Sequence, residues 1–350
     1  MTHAIIIQQP GGPEEMRWEE VQVGAPGPGE VRLSQSSIGL NYIDCYHRSG
    51  LYPLEMPHGI GMEAAGTVDE VGDGVIGLSV GDRVAYACPP PGAYAQARNM
   101  PADKVVKLPH SIDNETASAM MLQGMTVQYL IRSTYRVKSG ETVLFHAAAG
   151  GVGLIACQWL KQLGVTVIGT VGSEEKAELA KAHGCAHTIL YREESFVDQV
   201  REITDGAGVP VVYDSVGADT YPGSLDCLSP LGMFVSFGNA SGPISNFDPG
   251  LLAAKGSLFF TRPTLMTYTA ERDDLVASAN DLFEAVERGV KIEIHQRYAL
   301  KDAAQAHTDL EARKTTGSSI LLPEEIFLRI SLHLRPNLTT VKSKFSKIWT

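Results

Sequence analysis

Two patterns of apolar spacing divide the chain. Up to about Ile112, short β-type runs at 4–7, 31–34, 66–70 and 83–87 are separated by Gly11-Gly12-Pro13, Pro26-Gly27-Pro28-Gly29, Gly72-Asp73-Gly74 and Pro89-Pro90-Pro91-Gly92. Apolar runs bounded by Gly and Pro clusters predict short strands joined by turns, hence a mostly β domain. From residue 114 the pattern changes. A helical stretch at 114–135 leads into strand candidates at 142–146, 166–170, 187–190, 210–214, 232–237 and 257–261, with helical stretches between most of them. Six strands with interleaved helices predict a parallel, doubly wound α/β sheet. In one helix, Val152, Ile155, Ala156, Trp159, Leu160 and Leu163 stand at i, i+3, i+4, i+7, i+8 and i+11, which makes one continuous apolar face. Gly164 follows as its C-terminal stop.

Beyond Arg262-Pro263 come a helical pattern at 272–289, a strand-like 293–298, a helical 300–310 and a strand-like 318–322. A six-stranded nucleotide fold has no place for these elements, so they are assigned to the first domain. That domain is then discontinuous, 1–125 and 263–323, with 126–262 inserted in it. Segment 324–350 is an atypical extension with five Lys or Arg against two Glu. Its alternation suits a strand and its composition suits little structure equally well, and no chemistry is assigned to it.

Charge and cysteine usage narrow the function classes. A net charge of -11 disfavours a phosphate backbone as partner. Five widely spaced cysteines (Cys45, Cys88, Cys157, Cys185 and Cys227) contain no C-x-x-C pair, which argues against a disulfide framework and for a reducing compartment. No signal-peptide pattern and no apolar run near ~18 residues is present, so no membrane partner is expected and the expected location is cytoplasmic.

The candidate chemistry starts at Leu144-Phe145-His146-Ala147-Ala148-Ala149-Gly150-Gly151-Val152-Gly153. A predicted strand enters this run and the counted helix leaves it. A dinucleotide fingerprint reads G-x-G-x-x-G; here Ala148 replaces the first glycine, leaving Gly150 and Gly153. Gly150 allows the backbone to approach a pyrophosphate, Gly153 allows close helix–strand packing, and the helix N-terminus attracts the anion. At the end of the next strand, NAD-specific sites carry an acid for the ribose hydroxyls. This chain has Gly172-Ser173 instead, with Lys176 one turn on and Tyr191-Arg192 beyond the third strand. Such donors suit a 2'-phosphate and favour NADPH. Glu174 and Glu175 fit better as first-turn acids of the next helix.

Gly140-Glu141, Leu144, Ala148-Ala149-Gly150-Gly151, Gly153, Gln158 and Lys161 together resemble the signature of the quinone oxidoreductase/ζ-crystallin family, zinc-free medium-chain dehydrogenases/reductases, and the missing first glycine belongs to that signature. Asn41-Tyr42-Ile43-Asp44, 48–53, 61–66, 81–84, 212–217 and 317–319 also resemble family motifs, so the resemblance runs to about Pro323. It implies a Rossmann domain inserted in a GroES-like catalytic domain, NADPH as cofactor, and a homodimer. It also implies cofactor contacts. Asn41, Tyr42, Ile43, Asp44, Cys45 and Tyr46 resemble a loop beside the nicotinamide. Tyr129, Gly150, Gly151, Val152, Gly172, Ser173, Lys176, Tyr191, Val216, Phe237, Gly238, Asn239, Ala240, Pro263, Thr264, Leu265 and Arg313 complete the implied cofactor set.

Zinc enzymes of the superfamily hold a catalytic Cys where this chain has Asn41, and their Gly-His-Glu reads Gly61-Met62-Glu63 here. No four-cysteine lobe exists, and Asp44, Cys45, His47, His58 and Glu63 lack ligand spacing, so no metal is expected and the nearby histidines read as surface or loop residues. Without a Lewis acid, an acceptor needing little polarisation fits best. The expected reaction is hydride or single-electron transfer from NADPH to a quinone. Asn41, Tyr46 and Tyr52 are the candidate catalytic residues, with Gln123 and Thr126 as weaker ones. Two alternatives stay open: reduction of activated C=C bonds in enones or 2-alkenals, and a non-enzymatic crystallin-like or RNA-binding role.

Overall fold

The computed structural model describes residues 2–323, and the extension at 324–350 lies outside them. The alternating segment forms one parallel six-stranded sheet. Its spatial order is His187–Leu190, Thr166–Val171, Thr142–Phe145, Val209–Asp214, Leu228–Ser236 and Phe259–Thr261. The chain starts at the centre and winds outward on both sides, so the expected doubly wound sheet is present. Its central strands are buried on both faces: Val143, Leu144, Phe145, Val211, Val212 and Tyr213 are at most 1% exposed. That is why they read as continuous apolar runs rather than alternations. Helix Gly151–Gln162 covers one face through Ile155, Ala156, Trp159 and Leu160. Val200, Tyr221 and Leu225 cover the other.

The turn-rich segment builds a mixed seven-stranded sheet around the long strand Glu30–Leu40. Glu63–Val71 pairs antiparallel with it, and so does Ala97–Pro101. Ser318–Leu322 also pairs with it, with Ser319 opposite Leu40 and Leu321 opposite Ile38, and Ile294–Ala299 lies parallel beyond. The last strands of the described chain thus return to the first sheet. A small antiparallel sheet of Met16–Val21, Thr2–Ile7 and His58–Gly59 completes this part. Met16–Val21 and Ala97–Pro101 carry charged residues and few buried ones, so neither shows a clear apolar alternation.

Helix Asn114–Tyr129 ties the two sheets together. Asp113 caps it, Oδ1 accepting the Thr116 N–H at 2.7 Å. The helix is buried nearly all round, and it continues as a π turn at Leu130–Thr134. Met120, Met121 and Met125 pack in one core with Ile155 and Leu160 of the glycine-turn helix and Leu282 of helix Arg272–Glu287. Gln123 and Tyr129 are thereby held on a rigid element between the sheets.

Candidate active site

The glycine turn is built on a buried histidine. His146 follows strand Thr142–Phe145, and its two ring nitrogens lie 2.9 Å from Thr170 Oγ1 and 2.9 Å from Ser224 Oγ. Ala147 takes a left-handed φ of 55°, and helix Gly151–Gln162 starts after Gly150 without a side-chain cap. Its first-turn N–H groups are therefore free of side-chain acceptors, as an anion site requires. The glycines divide their roles. A Cβ on Gly153 would sit 2.4 Å from the Ala147 carbonyl oxygen, so close helix–strand packing demands glycine there. A Cβ on Gly150 would meet only that oxygen, at 3.3 Å, so this side faces open space. A Cβ on Gly151 would lie 2.0 Å from Gln123 Oε1, which places the turn directly against the linking helix.

The residues expected to hold a 2'-phosphate converge. Ser173 caps helix Glu174–Ala182, its Oγ accepting the Lys176 N–H at 3.4 Å. Lys176 Nζ donates to the Arg313 carbonyl at 3.0 Å, and Arg313 Nη1 donates to Tyr191 Oη at 3.3 Å. Tyr191 lies over Gly172, where a Cβ would be 3.3 Å from its hydroxyl. The Arg192 guanidinium sits 5.8 Å from the Tyr191 ring centroid. Burial lowers the Lys176 pKa, and the charges of Arg192 and Arg313 push the same way. Cations gathered this closely suit a multiply charged ligand. Glu174 and Glu175 are exposed at the helix start, as expected of first-turn acids.

The expected loop beside the nicotinamide is an α-helix, Tyr42–Ser49, with Asn41 as its N-cap. Asn41-x-x-Asp44 is the sequence signal that marks it: the Asn41 N–H donates to Asp44 Oδ2 at 2.9 Å. The helical period turns Tyr42, Ile43 and Tyr46 to the partly exposed side and buries Asp44, Cys45, His47 and Arg48. Asp44 accepts from Tyr94 Oη at 3.0 Å, and Cys45 Sγ lies 3.4 Å from His307 Nδ1. The Asp44 and Cys45 side chains thus face away from the cleft, and only their backbone is left for contact with a ligand. His47 is buried in this helix rather than lying on the surface, and burial lowers its pKa to about 4.

Besides the capping box, the Asn41 amide has partners on the cleft side. Its Nδ2 donates to Glu63 Oε2 at 2.7 Å, and its Oδ1 accepts from Gln123 Nε2 at 3.2 Å. Gln123 Oε1 in turn accepts from Ser318 Oγ at 2.9 Å. Glu63 is fully buried and also accepts the Leu122 N–H at 2.8 Å. Burial raises its pKa to about 8, against the pull of these donors. Burial likewise raises Asp44 to about 7.

Across from Asn41, the C-terminal ends of the parallel strands supply the other wall. Val216 follows Val209–Asp214, and its N–H donates to Asp214 Oδ1 at 2.7 Å. Phe237, Gly238, Asn239 and Ala240 follow Leu228–Ser236. The Asn239 N–H donates to Tyr46 Oη at 2.9 Å, joining the two sheets. Arg262 follows Phe259–Thr261 and donates from Nη2 to Tyr52 Oη at 3.0 Å. With the Asn239 amide turned to satisfy both its atoms, Arg262 Nη2 also reaches Asn239 Oδ1 at 3.2 Å. Pro263 and Leu265 are buried and Thr264 is exposed. Tyr129 stacks on Tyr268 with centroids 4.5 Å apart, and Tyr268 Oη accepts from Thr134 Oγ1 at 2.9 Å. Thr126 is buried on the same helix as Gln123. Arg262 and Tyr268 carry no sequence motif; only the fold brings them here.

The donor set does not fit zinc. Among the described residues, no three His, Cys, Asp or Glu converge on a metal-sized space. Asn41 donates directly to Glu63, so that carboxylate already has its partner. Burial pushes the Cys45 thiol up, away from the thiolate a metal would need.

Comparison with known proteins agrees with this geometry. Residues 27–110 match the alcohol dehydrogenase GroES-like domain family, and residues 151–279 match the zinc-binding dehydrogenase family. A quinone oxidoreductase of Pseudomonas aeruginosa is 56% identical, covering 92% of this chain and 100% of its own. A 2-haloacrylate reductase of a Burkholderia species is 48% identical, covering 93% and 100%. The solved structure of Escherichia coli quinone oxidoreductase complexed with NADPH superposes with a TM-score of 0.91 at 49% identity, covering 92% of this chain and 100% of that one. With the glycine turn, the cation cluster and the Asn41 cleft in place, the chain belongs to the quinone oxidoreductase family of medium-chain dehydrogenases/reductases.

Proposed function

We propose that this chain is an NADPH-dependent, zinc-independent quinone oxidoreductase. One observation carries the reading: the open glycine turn and the Ser173, Lys176 and Tyr191 cluster, which Arg313 joins from the end of helix Ala303–Glu311, lie on the same sheet whose strand ends face Asn41, Tyr46 and Tyr52. Gly150, Gly151 and Val152 would hold the pyrophosphate on the helix N-terminus, and the cation cluster would hold the 2'-phosphate. Bound NADPH supplies the hydride or electron. The protein positions the acceptor and excludes water. Asn41 is fixed by Glu63 and Gln123, so one N–H of its amide remains to meet an acceptor oxygen or the nicotinamide side. Tyr46 and Tyr52 present ring faces and hydroxyls to a planar acceptor, and their hydroxyls already bridge to Asn239 and Arg262. Burial pushes the Tyr46 hydroxyl up, so it acts as a neutral hydrogen-bond donor.

A second reading, reduction of activated C=C bonds, is favoured by the 48% identity to the 2-haloacrylate reductase. NADPH oxidation assayed against quinones and enones in parallel tests both. Turnover of quinones supports the first reading, and turnover of enones alone would replace it with the second.

The assembly proposed is a homodimer. Among the described residues, strand Phe259–Thr261 is an unpaired edge of the parallel sheet, with Phe259 56% and Leu231 67% exposed beside it. Exposed apolar edges of this kind are usually covered. No helix among the described residues is long and apolar enough to cross a membrane. The five cysteines are free and buried, which supports a reducing, cytoplasmic setting.

A further inference from the structure

Arg262 stands at the mouth of the cleft, exposed, directly after the edge strand of the parallel sheet. Three contacts orient its guanidinium: Nη1 donates to the Pro263 carbonyl at 3.3 Å, and Nη2 donates to Tyr52 Oη at 3.0 Å and to Asn239 Oδ1 at 3.2 Å. All three acceptors are neutral. Among the described residues, no carboxylate forms an ion pair with it, so these neutral groups are the partners that hold it. Of its five N–H donors, two stay unused after these contacts. Its charge acts inward: it is felt by the hydroxyls of both Tyr46 and Tyr129. A fixed, uncompensated guanidinium with spare donors, framed by tyrosines, is built to receive a planar anion.

We propose that Arg262 is a specificity residue, and that the preferred acceptors carry a carboxylate beside the reducible bond, which this guanidinium binds. The proposal rests on the reductase activity proposed above and adds the substrate class. It concerns binding alone; the electron transfer is the same for charged and neutral acceptors.

The test uses a carboxylate-bearing benzoquinone and its methyl ester, with the full chain, NADPH, and the variants Arg262→Gln and Arg262→Lys. The ratio of kcat/KM for the acid over that for the ester should fall about tenfold or more in Arg262→Gln, the size expected for loss of a charge-assisted contact, and partly recover in Arg262→Lys. In the wild type this ratio should also fall with rising salt. Benzoate should inhibit in competition with the acceptor, and Arg262→Gln should weaken that inhibition. An equal loss on acid and ester, or unchanged benzoate inhibition, would overturn the proposal, since it would leave Arg262 only holding Tyr52 and Asn239. Failure of the wild type to reduce either quinone would instead overturn the reductase reading, and this proposal with it.

Discussion

Replacing Glu63 with Gln separates the two roles of this buried acid. Glu63 accepts from Asn41 Nδ2 at 2.7 Å and from the Leu122 N–H at 2.8 Å, and among the described residues no cation pairs with it. A glutamine amide offers one acceptor oxygen where the carboxyl group, protonated or not, offers two, so one buried donor loses its partner, at a cost of about 1–3 kcal/mol. The second role is titration. Burial raises the Glu63 pKa from its ordinary 4.5 to about 8. Between those values the folded chain holds a proton that the unfolded chain has released. Stability therefore falls as pH rises through this window, by up to ~1.4 kcal/mol per pH unit from this group. Glu63→Gln cannot titrate. Urea unfolding from about pH 5.5 to about pH 8 should show the variant less stable at the acid end, with wild type losing about 3 kcal/mol more than the variant across the range. Asp44 titrates in both proteins and cancels to first order. Parallel stability curves would refute the reasoning, because they would mean that Glu63 is ionised in the fold.

Other perturbations address the cofactor site and the assembly. Lys176→Ala with Arg313→Ala should raise KM for NADPH by about tenfold to a hundredfold and leave KM for NADH nearly unchanged in steady-state assays, as expected when a charged phosphate contact is lost. Gly151→Ala places a Cβ 2.0 Å from Gln123 Oε1 and should weaken NADPH binding, read by fluorescence titration, by disturbing both the turn and the hold on Asn41. Phe259→Lys should shift the chain toward monomer in light scattering while leaving the far-UV spectrum intact.

The parallel sheet was legible because its strands are buried on both faces and spaced by helices. His187–Leu190 agrees with the sequence at both ends, whereas Leu228–Ser236 starts four residues before the expected Gly232. Pro230 and the left-handed Leu231 (φ 63°) interrupt its apolar run, so the earlier part does not read as strand. Ser173, Lys176, Tyr191 and Arg192 were legible because each follows a strand of the parallel sheet at short range, whereas Arg313 joins them from beyond helix Ala303–Glu311, where the sequence implied only a contact at the domain junction. Helix Tyr42–Ser49 was not: eight residues carry little periodicity, and only Asn41 and Asp44 mark its start. Arg262 and Glu63 acquire their roles through neighbours distant in sequence, Tyr52 in one case and Asn41 and Leu122 in the other, which no local pattern encodes. Asn41 likewise stands where zinc enzymes have a ligand, and only the fold shows its amide clamped between a buried acid and Gln123.

Steady-state oxidation of NADPH and of NADH, measured with the same panel of quinones, tests the central claim most directly. The account predicts quinone turnover with kcat/KM for NADPH exceeding that for NADH by about a hundredfold, the scale of a lost phosphate site. Equal use of the two cofactors, or no turnover of any quinone, would contradict it.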